Sequence, residues 1–339
     1  MKNCENRDTI KSMKNVFRIL GKILAVIFLL IISFLFVVFI CNKIMMKKEQ
    51  PLLTQQIGHF VEVDGHNMNV YTEGKGEHTF LFLSGSGTVS PVLDFKSLYS
   101  LLSDDFKIVV IEKFGYGFSD IVDTERSFET ILRQDREALD KSGIKGPFIL
   151  CPHSMSGLEA LMWAQKYPDE VERIIGLDMV LPRNYDNFDF EDVARFEKLA
   201  MLARKLGIVR FYYSDKMLPE KLSKNEKQLY KALAAKIAVN IDIFNEGKAI
   251  IEACKIIDSK PVPDIPILLF VSNGKETKAL NWVQNQRDFA AANKNAKVVE
   301  LNCGHYVHNF EYEKISREVK AIYLLTLMFP GEKANSAKF

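Results

Sequence analysis

Phe148-Ile149-Leu150-Cys151-Pro152-His153-Ser154-Met155-Ser156-Gly157 is an apolar run that ends at a serine set among small residues. Its first four residues read as a strand buried on both faces, and residues 155–167 as the helix that follows. A serine in so sharp a strand-to-helix turn is held with its hydroxyl exposed and its backbone strained; small neighbours two residues away make the turn sterically feasible. The helix start also offers backbone N–H groups to an oxyanion. A serine in a Gly/Ser-rich turn is ordinarily only a turn residue. Its place between a strand and a helix is what points to chemistry.

The same alternation extends on both sides. Upstream, residues 60–63 and 68–71 flank Asp64-Gly65, a hairpin signal. Residues 79–83 and 107–111 are further buried strands, with helices expected near 91–102 and at about 127–142. Downstream, a strand at 173–177 is followed by about 80 residues, 182–260, that are charged, amphipathic and free of strand-like runs. They are expected to form a helical lid. A strand at 267–271, a helix at roughly 279–293, a strand at 297–301 and a helix at 312–327 complete the pattern. The expected α/β core is therefore 57–181 plus 261–330, a mostly parallel sheet flanked by helices, with 331–339 a frayed tail. Ligands gather at the carboxyl edge of such a sheet. Two more strand ends there carry unusual residues: Leu83-Ser84-Gly85-Ser86-Gly87, a turn whose N–H groups can serve an oxyanion, and Cys303-Gly304-His305.

Together these features resemble the α/β-hydrolase fold superfamily, over about residues 58–328. The resemblance includes Glu112-Lys113-Phe114-Gly115-Tyr116-Gly117-Phe118-Ser119-Asp120, which is similar to the family's D-x-x-G-x-G-x-S-D stretch, and the serine turn, which is similar to G-H-S-M-G-G. Pro152 and Ser156 depart from that turn. Serine is small, and proline biases Cys151 toward the extended geometry a strand end wants. The resemblance implies Ser154 as nucleophile, His305 as general base (with His308 as a rival three residues on) and the N–H groups of Ser86 and Met155 as oxyanion hole. His153 is expected to be a neighbour of the turn, and His59, His66 and His78 to be surface residues.

The acid is ambiguous. The family's usual position after the strand at 267–271 reads Ser272-Asn273-Gly274-Lys275-Glu276-Thr277, with no Asp. A minority of the fold, some haloalkane dehalogenases included, takes the acid from the end of the preceding strand, here Asp178. Many members carry a purely structural Asp there, so Asp178 and Glu276 both stand as candidates.

Residues 23–41 are 19 in number with Ser33 the one clearly polar member, about 28 Å of helix against a hydrocarbon core of about 30 Å. There is no A-x-A-like cleavage site, and the bulky Ile40 before Cys41 fits a lipobox poorly, so an uncleaved transmembrane helix is expected. Six Lys/Arg precede the run and three follow closely, which puts residues 1–22 in the cytoplasm and the body, after a linker at 42–56, outside. The first 50 residues have a net charge of +6 and the rest −4, and an acidic body gives no reason to expect nucleic-acid binding. The five cysteines, Cys4, Cys41, Cys151, Cys254 and Cys303, show no disulfide or metal spacing.

A serine nucleophile selects acyl transfer and calls for neither cofactor nor metal. The expected function is hydrolysis of a carboxylic ester, possible partners being a lipid-like or peptide substrate. A proline-iminopeptidase-like aminopeptidase is the alternative, with Glu191, Asp192 and Glu197 available to hold an α-amino group. A catalytically inactive, membrane-tethered scaffold is the second alternative. Phe188, Phe190, Phe211, Tyr212, Tyr213 and Phe244 are candidates for an acyl pocket, or else for the lid's own core.

Overall fold

The computed structural model describes residues 2–55, 57–186, 189–277, 279 and 281–328, with side chains at all of these except 2–12, 192 and 325–328. Phe188 and the tail at 331–339 lie outside the described residues.

Eight strands, β1 (His59–Val63), β2 (His66–Glu73), β3 (Thr79–Leu83), β4 (Lys107–Glu112), β5 (Phe148–Pro152), β6 (Val171–Leu177), β7 (Ile267–Val271) and β8 (Ala296–Glu300), form one sheet in the order β1-β2-β4-β3-β5-β6-β7-β8. The β1–β2 and β2–β4 pairs are antiparallel and the rest parallel. Asp64 and Gly65 both have positive φ, the geometry that closes a two-residue hairpin with the twist of its strands.

Among the described residues the α-helices are α1 (Lys2–Leu53), the short α2 (Pro91–Asp94) and α3 (Lys96–Tyr99), α4 (Phe128–Lys141), α5 (Ser156–Lys166), α6 (Phe190–Leu206), α7 (Lys224–Ile237), α8 (Ile241–Lys248), α9 (Ile250–Asp258), α10 (Trp282–Ala292), the short α11 (Val307–Phe310), and α12 (Tyr312–Met328). The two-residue period of the strands sorts the core into two layers. Phe80, Phe82, Ile108, Val110, Ile149 and Phe270 pack against α3 and α12. Leu81, Val109, Leu150, Ile174 and Leu269 pack against α4, α5 and α9. Runs such as β3, β5 and β7 are apolar throughout because both faces are covered.

Between β6 and β7 the described residues form only helices and turns, from α6 to α9. The largest departure from expectation is at the other end of the chain. The linker expected at 42–56 is helical as far as Leu53, so α1 is one continuous element of 52 residues. From the last turns of the apolar run onward it has a stripe at Leu35, Val38, Phe39, Asn42, Met46, Glu49 and Leu52–Leu53 that is less exposed than its neighbours, and it packs on α6 and α7. Charged Lys43, Lys47 and Lys48 suggest a linker when read singly; the spacing of the residues between them is helical.

Candidate functional site

Ser154 sits between β5 and α5 at φ +53°, a region that costs a residue with a Cβ about 1–3 kcal/mol and persists only where the surroundings enforce it. Three contacts do so. His153 N–H donates to the Leu83 carbonyl at 2.9 Å and Val180 N–H donates to the Ser154 carbonyl at 2.7 Å. Gly85 lies so close that a Cβ on it would come within 2.8 Å of the Ser154 Cβ. Both departures from the family turn fit this frame. Pro152 is the last residue of β5, where its missing N–H costs no interior ladder bond. The Ser156 hydroxyl is satisfied by the carbonyls of Leu83, at 2.7 Å, and His153, at 2.9 Å.

The structure brings Ser154, His305 and Asp178 together. His305 Nε2 lies 2.9 Å from Ser154 Oγ, and His305 Nδ1 lies 2.6 Å from Asp178 Oδ2. Asp178 is fully buried at the end of β6, at φ +48°. Its other oxygen accepts from Ser272 N–H at 2.7 Å and from the Trp282 indole at 2.8 Å. Three contacts around one buried carboxyl, from Ser272, Trp282 and His305, fix its plane against the imidazole. Nothing in the spacing of the sequence singles out Ser272 or Trp282 for this task.

Glu276, the other acid candidate, is exposed and lies elsewhere: its carboxylate accepts from the His305 backbone N–H at 2.8 Å and covers Gly304, where a Cβ would fall 2.4 Å from its oxygen. It therefore braces the histidine loop and does not touch the imidazole among the described contacts. His308 is buried with its Nε2 2.9 Å from Asp94 Oδ2, away from Ser154. His153 is a ring neighbour of both, and its Nε2 is 3.3 Å from the His305 carbonyl. Burial, with the two neighbouring histidines, pushes the His153 pKa well below its usual value and keeps it neutral. His59, His66 and His78 are exposed.

Ser86 follows Gly85 on the turn above Ser154, and Met155 opens the helical turn below it. No backbone or side-chain acceptor takes the N–H of either among the described residues. The start of α2, just after this turn, is held by Glu112, whose buried carboxylate accepts from Phe118 N–H at 2.7 Å, Asn69 Nδ2 at 3.0 Å and Ser90 Oγ at 3.1 Å. Gly117, at φ +53°, leaves the space this carboxylate fills, since a Cβ there would come within 1.9 Å of it.

A cleft of about 780 Å³ opens over Ser154 and His305, between the start of the β6–β7 helical segment and the start of α10. Val180, Tyr185 and Trp282 give it apolar wall, while Asp186, Asp189, Glu276 and Asp288 outnumber Arg183. Among the described residues, none of the aromatic side chains singled out as an acyl pocket lines it. Phe190 stacks on the buried Phe244, and Tyr213 on Tyr230, as core of the helical segment, while Phe211 and Tyr212 are exposed. Glu191 is exposed and Glu197 faces Glu246, and neither lines the cleft; the Asp192 side chain lies outside the described residues.

The chain is similar to several known proteins. It is 35% identical over 314 residues to the uncharacterized protein YbdG of Bacillus subtilis, covering 89% of this chain and 96% of that one. It is 30% identical over 122 residues to the 2-(acetamidomethylene)succinate hydrolase of Mesorhizobium japonicum, a match covering 36% of this chain and 42% of the other. Among solved structures, a haloalkane dehalogenase loop variant from Bradyrhizobium elkanii superposes with a TM-score of 0.62 at 17% identity, over 81% of this chain and 98% of that one. At that identity the likeness speaks for the fold alone. The model of the alpha/beta hydrolase fold matches residues 78–312, which include every residue of the hydrogen-bonded chain from Ser154 through His305 to Asp178, and the protein belongs to that family.

Proposed function

We propose that the protein is a membrane-anchored serine hydrolase that cleaves a carboxylic ester or related acyl substrate. The observation that carries this reading is the serine on a strained turn, 2.9 Å from an imidazole whose far nitrogen is 2.6 Å from a buried carboxylate. In the proposed reaction Ser154 Oγ attacks the acyl carbon as its proton passes to His305 Nε2. The N–H groups of Ser86 and Met155 hold the oxyanion. His305 then protonates the departing alcohol, and water activated by the same imidazole releases the acid. Asp178 orients His305 and offsets its transient positive charge. Carbon–halogen cleavage, the activity named for the dehalogenase neighbours, fits a serine poorly: attack on an alkyl carbon would leave an ether with no carbonyl for water to enter.

In this reading residues 182–260 act as a lid and α1 as the anchor, the N-terminus being cytoplasmic and the body outside. α1 has the length and apolarity to cross a membrane. A second reading, an aminopeptidase, draws support from the four carboxylates lining the cleft, which suit a substrate bearing an ammonium group. The residues to test are then Asp186, Asp189 and Asp288, in place of Glu191, Asp192 and Glu197.

The purified protein should react with a fluorophosphonate probe, and Ser154→Ala should abolish that labelling while leaving the far-UV circular dichroism unchanged. Undiminished labelling of the variant would remove Ser154 from the mechanism. Panels of acyl esters and aminoacyl amides then separate the two substrate classes.

A further inference from the structure

The helical segment between β6 and β7 exposes large apolar side chains in the stretch around Gly207 and Arg210, which touch α1: Leu199 and Leu202 on α6, with Phe211, Tyr212 and Met217 in the turns that follow. Leu199 is 65% exposed and Phe211 70%. Side chains of this size grouped in one short stretch mark a contact surface rather than the scattered exposure usual in a soluble protein. Three observations say what covers it.

The first is position. Gly207 lies against Asn42, the residue directly after the apolar run, so closely that a Cβ there would be 2.5 Å from the Asn42 Cβ. Arg210 holds Asn42 Oδ1 at 2.6 Å and both Glu49 oxygens at 2.8 and 2.7 Å. The patch is therefore pinned beside the end of the run. The second is depth. The packed stripe on α1 reaches back to Leu35 and Val38, inside the run, so the body overlaps about 10 Å of it at 1.5 Å per residue. The third is charge. Residues 193–217 contain six Lys/Arg and two acidic residues, and Lys43, Lys47 and Lys48 are exposed on the adjoining turns of α1. Apolar side chains rimmed by basic ones match the boundary between acyl chains and anionic headgroups.

From these the geometry points to a second membrane contact: Leu199, Leu202, Phe211, Tyr212 and Met217 insert into the lipid surface that α1 crosses, and hold the lid at the level of the headgroups. Val209 and Tyr213, next to the patch, share an apolar cluster with Val89 and Leu93, just after the Ser86 turn, so the surface is continuous with packing that reaches the site. The substrate class that follows is an acyl ester resident in the bilayer. This rests on the reading of α1 as a membrane span, and the test separates the two.

The full-length protein is reconstituted into phosphatidylcholine–phosphatidylglycerol vesicles containing lipids with a nitroxide near the top of the acyl chain. Tryptophan is introduced singly at Ile27 in the run, at Phe211 in the patch and at Phe60, exposed on the edge strand β1; native Trp163 and Trp282 are buried. Quenching of Ile27→Trp and Phe211→Trp several times stronger than that of Phe60→Trp supports the inference. Quenching of Ile27→Trp alone overturns it and leaves the anchor standing. If Phe211→Trp is shielded but not quenched, the occupant is a second copy of the chain, which equally overturns it. If Ile27→Trp is not quenched, the span fails and the inference with it. In the same vesicles Leu199→Glu/Phe211→Glu should lower kcat/KM for a vesicle-borne ester about tenfold, given the apolar area withdrawn from lipid, and leave a water-soluble ester untouched. Equal loss on both substrates would assign the two residues to folding instead.

Discussion

At the level of single residues, the acid is where the sequence was least decisive and the fold most informative. Asp178 and Glu276 both precede His305 in the chain, and both end within hydrogen-bonding distance of it, one at the ring and one at the backbone N–H. Asp178→Asn should lower kcat by up to about 10⁴-fold, since an amide can hold the imidazole in the wrong tautomer. Glu276→Gln retains an oxygen for the backbone bond and should cost less than about tenfold. Stopped assays of both variants on one ester decide the matter, and a reversal of the two effects would transfer the role to Glu276. Ser154 and His305 were legible because each lies in a turn with small neighbours at a strand end. The hold on Asp178 by Ser272 and Trp282 was not: these residues are 94 and 104 positions away in the chain, and no local pattern reports a contact of that range.

Among the elements, the strands were read almost to the residue because both faces of most of them are covered, which leaves apolar runs bounded by turns. The helical segment was legible as helical, and of the aromatic residues offered as pocket or core, those described are its core (Phe190, Tyr213, Phe244) or its outer surface (Phe211, Tyr212). One charge inside it has a measurable consequence. Burial, aided by the charge of Glu246, pushes the Glu197 carboxyl on α6 from 4.5 up to about 7. The fold thus binds this proton more tightly than the unfolded chain does. Stability from that source is full below about pH 4.5 and is lost as the pH rises to about 7. Glu197→Gln should accordingly stabilise the protein above pH 7 by about 1 kcal/mol, after discounting for solvent screening of a partly exposed group, with the gain vanishing below pH 4.5. Urea titrations of both proteins at pH 4.5 and 8 read this directly; an equal gain at the two pH values would trace the effect to packing.

On the scale of the molecule, core and helical segment are joined by a charge that no local sequence pattern singles out. Lys113, at the end of β4, is buried with its ammonium 2.6 Å from Glu246 on α8 and 3.5 Å from Glu159 on α5. Tyr116 donates to the same Glu246 at 2.5 Å. The family-like stretch at 112–120 was recognised by its glycines, yet its lysine is what ties the two parts together. Lys113→Met would leave two carboxylates buried without that counter-charge and should cost about 3–5 kcal/mol, read as a fall in the urea midpoint. Lys113→Met combined with Glu246→Met should recover much of that loss, because the desolvation cost leaves with the charges. Failure of the double variant to recover would mean that the pair fixes geometry rather than balancing charge.

The unbroken course of α1 sets the kind of kinetics such an enzyme would have. A body on a slack tether wanders through a volume of solution and meets substrate by bulk encounter. With α1 as the proposed anchor, the helix entering the bilayer would be the same one that the body grips from Leu35 to Leu53, so the site would keep one height and one tilt. Its turnover would then follow the mole fraction of substrate among the surrounding lipids: diluting the vesicles would leave the rate per enzyme unchanged, while diluting the substrate within the membrane would lower it.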